Sequence, residues 1–133
     1  MRIAKSQQNT VVLTLNEKAT TANPQWLFKL TNDQTGFSKI FAAEDVSDYQ
    51  ERYNLFRITE SSSEDLTDGI VSLTAGRWSY VIYEMEESSP RNLDPEDALS
   101  EVETGICIVT GPDEQINNFT EDEEKDNGVF DEE

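Results

Sequence analysis

Twenty-eight aspartates and glutamates stand against ten lysines and arginines in this 133-residue sequence, and no histidine accompanies them. Carboxylates are therefore the first reactive group to weigh. A glycosidase sets two of them across a cleft, one as acid and one as base or nucleophile. Glu84, Glu86 and Glu87 follow an extended segment, and Asp94, Glu96 and Asp97 sit in a polar loop. In so acidic a chain such clusters arise from composition alone, and a single small core rarely shapes the cleft. Calcium is the stronger chemical rival. Asp94-Pro95-Glu96-Asp97 and Glu121-Asp122-Glu123-Glu124 offer oxygen ligands. Neither has the spaced loop with a central glycine and a terminal bidentate glutamate. Both runs fit a solvated acidic surface better.

The remaining catalytic inventory is thin. Without histidine there is no His-dependent triad and no histidine zinc site. Cys107 is the single cysteine, so neither an intrachain disulfide nor a thiolate metal cluster can form. Its neighbours Ile106, Ile108 and Val109 predict a packed thiol behaving as a small hydrophobe. No phosphate-cradling glycine loop, Gly-x-Ser-x-Gly or Cys-x-x-Cys occurs. The sequence predicts no catalytic residue, no metal site and no cofactor.

The net charge of −18 argues against direct binding to DNA, RNA or an anionic membrane, because phosphate attraction would become repulsion. It permits a basic protein partner, loose cation association or mimicry of nucleic acid. The opening residues, Met1 to Gln8, lack the apolar stretch of a secretory signal, and no run approaches a membrane span. The expectation is a chain made in a cytoplasm.

The elements that would position these groups are short and extended. Thr10 to Leu15 places Val11, Leu13 and Leu15 on one face. After Asn23-Pro24, Trp26, Phe28 and Leu30 alternate against Leu27 and Lys29. Asn32 to Gly36 reads as a hairpin loop, followed by Phe37 to Ala42. Arg52 to Glu60 sets Phe56 and Ile58 opposite Tyr53 and Leu55. Ile70 to Leu73 is another short strand. Gly76 opens the clearest strand of all, Arg77 to Glu86, in which Trp78, Tyr80 and Ile82 share one face. Ser88 to Glu101 is a polar, proline-containing excursion, and Thr104 to Thr110 closes the series.

About seven strands with closely spaced turns and little helical periodicity predict an all-β, immunoglobulin-like β-sandwich over residues 1–110. Leu73-x-x-Gly76-x-Trp78-x-Tyr80 resembles the tyrosine corner leading into strand F of such sandwiches, with Trp78 in the tyrosine's place. An indole N–H there can only donate. Trp26 suits the core tryptophan of strand C. The expected core is thus Trp26, Phe28, Phe56, Trp78, Tyr80 and Ile82, with Gly76 at the turn. Residues 111–133 form an acidic tail. Ten carboxylates there face Lys125 alone, which predicts disorder in the free chain. Phe119, Val129 and Phe130 are its candidate partner contacts, with Ile116 the remaining apolar anchor.

Several phrases occur in a telling order: Leu13-Thr14-Leu15-Asn16-Glu17-Lys18, Asn23-Pro24-x-x-Leu27-Phe28, Glu51-Arg52-Tyr53-Asn54-x-Phe56-x-Ile58-Thr59-Glu60, Gly76-x-Trp78-x-Tyr80-x-Ile82-Tyr83-Glu84, Asn92-Leu93-Asp94-Pro95 and Val102-Glu103-x-Gly105. Together they resemble a family of small proteins of tailed bacteriophages, including the crAss-like group and other phages of Bacteroidetes. The resemblance covers about residues 10–110. It implies a virion component without enzymatic activity, and it brings no catalytic residue with it.

The expected function is that of a minor structural protein of the particle. An auxiliary place on the capsid comes first, and a head–tail connector or tail position next. Its partners would be other virion proteins and copies of itself, with no nucleic acid and no membrane. Two rivals belong to other classes. An acidic DNA mimic would inhibit a nucleic-acid-binding protein, and a carbohydrate-binding module would need exposed aromatics such as Tyr49, Tyr53 or Tyr83.

Overall fold

The computed structural model describes residues 1–50 and 52–111. The acidic tail beyond Gly111, with Phe119, Val129 and Phe130, lies outside the described residues.

The fold is all-β, with eight strands among the described residues: β1 (Arg2–Ala4), β2 (Gln8–Leu13), β3 (Gln25–Asn32), β4 (Ser38–Ala43), β5 (Asn54–Glu60), β6 (Ile70–Val71), β7 (Gly76–Met85) and β8 (Ser100–Thr110). Two single 3-10 turns, Asn16–Lys18 and Pro95–Asp97, interrupt the loops. The strands form a five-stranded sheet, ordered β1-β8-β7-β3-β4, and a three-stranded sheet, ordered β2-β5-β6. Within the larger sheet only β1 runs parallel to its neighbour, β8.

Alternating side chains from both sheets meet in one core. Phe28 of β3 stacks on Phe41 of β4 at 5.2 Å and meets Phe56 of β5 edge-on at 5.1 Å. The second contact crosses between the sheets. Trp26, Phe28, Phe56, Trp78, Tyr80 and Ile82 are all buried in this core. Gly76 lies at the exposed start of β7 with φ of 138°. Beside it, the Trp78 indole N–H donates to the Thr74 carbonyl at 3.0 Å, tying the strand to the turn before it.

Tyr80 lies flat across Gly105 of β8, where a β-carbon would stand 2.7 Å from the ring. Only glycine fits there. The Tyr80 hydroxyl donates to Glu103 at 2.9 Å. Burial, then that bond to a carboxylate, pushes the Tyr80 phenol from 10 up to about 12. A raised folded-state value favours the native chain below the unfolded value and loses that contribution as pH climbs through the folded one. Burial followed by the Glu101 charge raises Tyr83 as well, with the same sign. The urea midpoint should therefore fall between about pH 10 and 12. Tyr80→Phe should flatten that fall; an unchanged slope would show that Tyr80 does not couple to folding.

Several elements depart from the sequence expectation. The first strand of the chain, β1, is only three residues long and was not predicted. β8 begins at Ser100 rather than Thr104, because a register shift between Ile82 and Tyr83 lets Ser100 and Glu101 continue the ladder. Leu27, expected opposite the core, is also buried. It forms a second cluster with Ala42 and Met85 on the outer face of the larger sheet, against Ile40, Tyr83, Leu93 and Ala98. Part of the polar excursion thus covers that face. Phe37 falls outside β4 and is exposed.

Candidate functional site

Three polar side chains that face inward explain where part of the acidic and amide inventory has gone. Glu84 lies within β7, inside the strand expected over Arg77 to Glu86, where it continues the inward row Trp78, Tyr80, Ile82 and is fully buried. Its carboxylate accepts from the Thr20 and Thr21 backbone N–H groups at 2.7 and 2.9 Å and from the Thr20 hydroxyl at 3.0 Å. On β5 the inward face is Asn54, Phe56, Ile58 and Glu60, apolar in the middle and polar at both ends. Asn54 accepts from the Leu15 N–H at 2.7 Å and donates to Asp45 at 2.6 Å. Glu60 accepts from the N–H groups of Ser6 and Leu73 at 2.8 and 3.0 Å. These groups hold the loops that cross the ends of the core. Such satisfied buried acceptors are structural.

The loops they hold border an open groove of about 560 Å3. Glu17, Glu44, Asp45, Glu87 and Arg91 are among its lining. Asp45 is already engaged by Asn54, by the Leu55 N–H at 3.0 Å and by the Ser47 N–H at 3.0 Å. Asp94 caps its own 3-10 turn through the Glu96 N–H, and Asp97 accepts from Asn92. Among the described residues, no three acidic or cysteine side chains converge where a metal ion would fit. The Glu84, Glu86 and Glu87 run does not converge either, since Glu84 is buried while its two successors are exposed. Cys107 is fully buried, and that burial pushes its thiol up to about 11. Of the three tyrosines weighed for glycan binding, Tyr49 is exposed and leans toward Tyr53 at 6.5 Å, while Tyr83 packs against the outer cluster.

The backbone at the sheet edges is a further outward-facing feature of the described residues. Four strands lie at sheet edges, and they are finished differently. At β1 the Asn9 side chain accepts from the Ala4 N–H at 2.8 Å and donates to the Ala4 carbonyl at 3.0 Å, closing that edge. At β4 the Ala42 N–H donates to the Leu66 carbonyl at 2.7 Å, and Lys39 pairs with Glu64 at 2.6 Å beside it. The hydrogen bond from Lys39, and after it the one from the Ser72 N–H at 2.8 Å, holds the Glu64 carboxyl below its ordinary value. β6 is two residues long. The fourth edge, β2, carries neither cover nor charge. Its sequence Gln-Asn-Thr-Val-Val-Leu contains no proline, glycine or ionisable residue. Val12 is 58% exposed there. Long, uncharged edges of this kind are templates for further strand pairing.

Sequence reasoning found the apolar row of this strand but not its edge position. The polar anchors Asn54, Glu60 and Glu84 gave only a faint signal, polar residues falling on the apolar parity of a strand.

No family model matches the chain. No curated protein and no solved structure resembles it significantly either.

Proposed function

We propose that this chain is a non-enzymatic structural component of a tailed-bacteriophage virion, an immunoglobulin-like β-sandwich holding an auxiliary position on the capsid. The observation that carries the assembly reading is the bare β2 edge on a domain whose other three edges are blunted. Strand addition at such an edge joins proteins through main-chain hydrogen bonds, and repetition on a symmetric shell multiplies weak contacts. The phage assignment draws on the resemblance of the sequence phrases. The sandwich reading draws on the strand order β1-β8-β7-β3-β4 opposite β2-β5-β6, on Trp26 in the third strand, and on the Trp78 indole bonded back to Thr74.

Quantitative mass spectrometry of purified particles, separated into heads and tails, tests the assignment. A fixed ratio in the hundreds per particle is expected for the shell, and about a dozen would move the protein to the neck. Absence from washed particles would overturn the reading. Salt-sensitive inhibition of a basic nuclease would then favour the DNA mimic, whose grip must weaken as salt rises.

A further inference from the structure

The hydrogen-bonding phase of β2 is set by its pairing with β5. The Glu60 N–H donates to the Gln7 carbonyl at 3.1 Å, so odd-numbered residues of β2 face β5. Consistently, Thr59 donates away from β2, to the Gly69 carbonyl at 2.8 Å, and the Leu55 carbonyl accepts from Val46 at 2.8 Å. Gln8, Thr10 and Val12 therefore turn their N–H and C=O groups outward, and no described group takes them up.

Charge singles out the same flank. Residues 1–16 include Arg2 and Lys5 and no carboxylate. The outer face continues from β2 onto β5 as Leu55, Arg57 and Thr59, again without an acid. Other approaches to the molecule meet Glu64, Glu17, Glu44, Glu87 or the carboxylates of the 94–97 turn. Among the described residues, two copies can come together at β2 without setting acid against acid.

We propose that β2 pairs antiparallel with β2 of a second copy, about a two-fold axis at Thr10, merging the two three-stranded sheets into one of six strands. The edge is its own complement. Parity requires outward residues to face outward residues, so Thr10 lies opposite Thr10 and Gln8 opposite Val12. Each pair exchanges both of its bonds, giving about six across the axis. The contact is isologous and closes after two copies. Gly111 lies beside Lys5, off the Gln8 end of the strand. The two-fold axis therefore puts the Gly111 residues, each followed by ten carboxylates in sequence, at opposite ends of the paired strands.

This inference names one contact of the assembly proposed above. Its test uses the free protein, so a failed dimer and absence from particles are separate results. Sedimentation equilibrium of the full chain, at about 10–200 µM in roughly 0.15 M salt, should show a dimer that tightens as added salt screens the net charge. Thr10→Glu sets like charges opposite each other at the axis and should weaken the dimer at least about tenfold. Thr10 is exposed, so the thermal transition of that variant should stay in place.

Thr10→Cys provides a geometric test. Opposed residues of a bonded pair stand about 5.5 Å apart at Cα, within disulfide range. Mild oxidation should give a covalent dimer much faster than the control Ser63→Cys, exposed on another flank, while buried Cys107 stays out of the reaction. A monomer across the whole range would overturn the proposal. So would a dimer indifferent to Thr10→Glu, or cross-linking no faster than the control.

Discussion

The Trp78→Ala variant is expected to show no cooperative thermal transition. Trp78 is 2% exposed and sits where β7, β8 and the preceding turn converge. Truncating a buried aromatic costs about 3–5 kcal/mol. A small domain has only about 5–15 kcal/mol in total. Alanine also removes the indole N–H that the Thr74 carbonyl accepts, leaving that turn without its tie. Trp78→Phe separates the two effects. It keeps most of the ring and loses the bond, so it should still fold, with about 1 kcal/mol attributable to the lost donor. A normal melting curve for Trp78→Ala would refute the core as described.

Glu84→Leu should be nearly as damaging, although leucine is the more apolar side chain. The Thr20 and Thr21 N–H groups and the Thr20 hydroxyl all end on the buried carboxylate. Leucine leaves these donors without an acceptor, at about 1–3 kcal/mol for each that stays dry. Glu84→Gln is the informative partner. Its amide oxygen can take the place of the oxygen that accepts both N–H groups, and its NH2 can donate to the threonine hydroxyl. Urea denaturation should rank the wild type close to Gln and both far above Leu. If Gln were as harmful as Leu, the negative charge rather than acceptor geometry would be what the site requires. Exchange of the Thr20 and Thr21 amides should accelerate in the Leu variant ahead of the core strands.

Much of the architecture was legible because a period of two is loud when one face is buried. Trp78, Tyr80 and Ile82 announced β7, and Trp26, Phe28 and Leu30 announced β3. Where both faces are covered, that signal fails. Leu27 and Met85 point away from the main core yet are buried, because Leu93 and Ala98 fold back over them from a segment that reads as polar loop. Short parallel contacts are silent too: β1 is three residues whose partner lies more than a hundred positions away. Glu84 falls inside the strand expected over Arg77 to Glu86, but its burial was silent, because the backbone donors that satisfy it, the Thr20 and Thr21 N–H groups, lie in a distant loop. The β2 edge was hidden for a different reason. Alternation identifies a strand, but which of its neighbours is missing depends on sheet order, which composition does not encode.

The outer cluster over the larger sheet has a consequence for how this molecule can be approached. One broad side is roofed by the chain's own loop, held down by Leu93 and Ala98, while the opposite side, the outer face of the smaller sheet, exposes the β-branched side chains Thr10 and Val12. The module thus has a front and a back. In the proposed β2–β2 pair both roofed sides would face the same way, and a fluorescent tag or affinity handle carried there would stay clear of the seam.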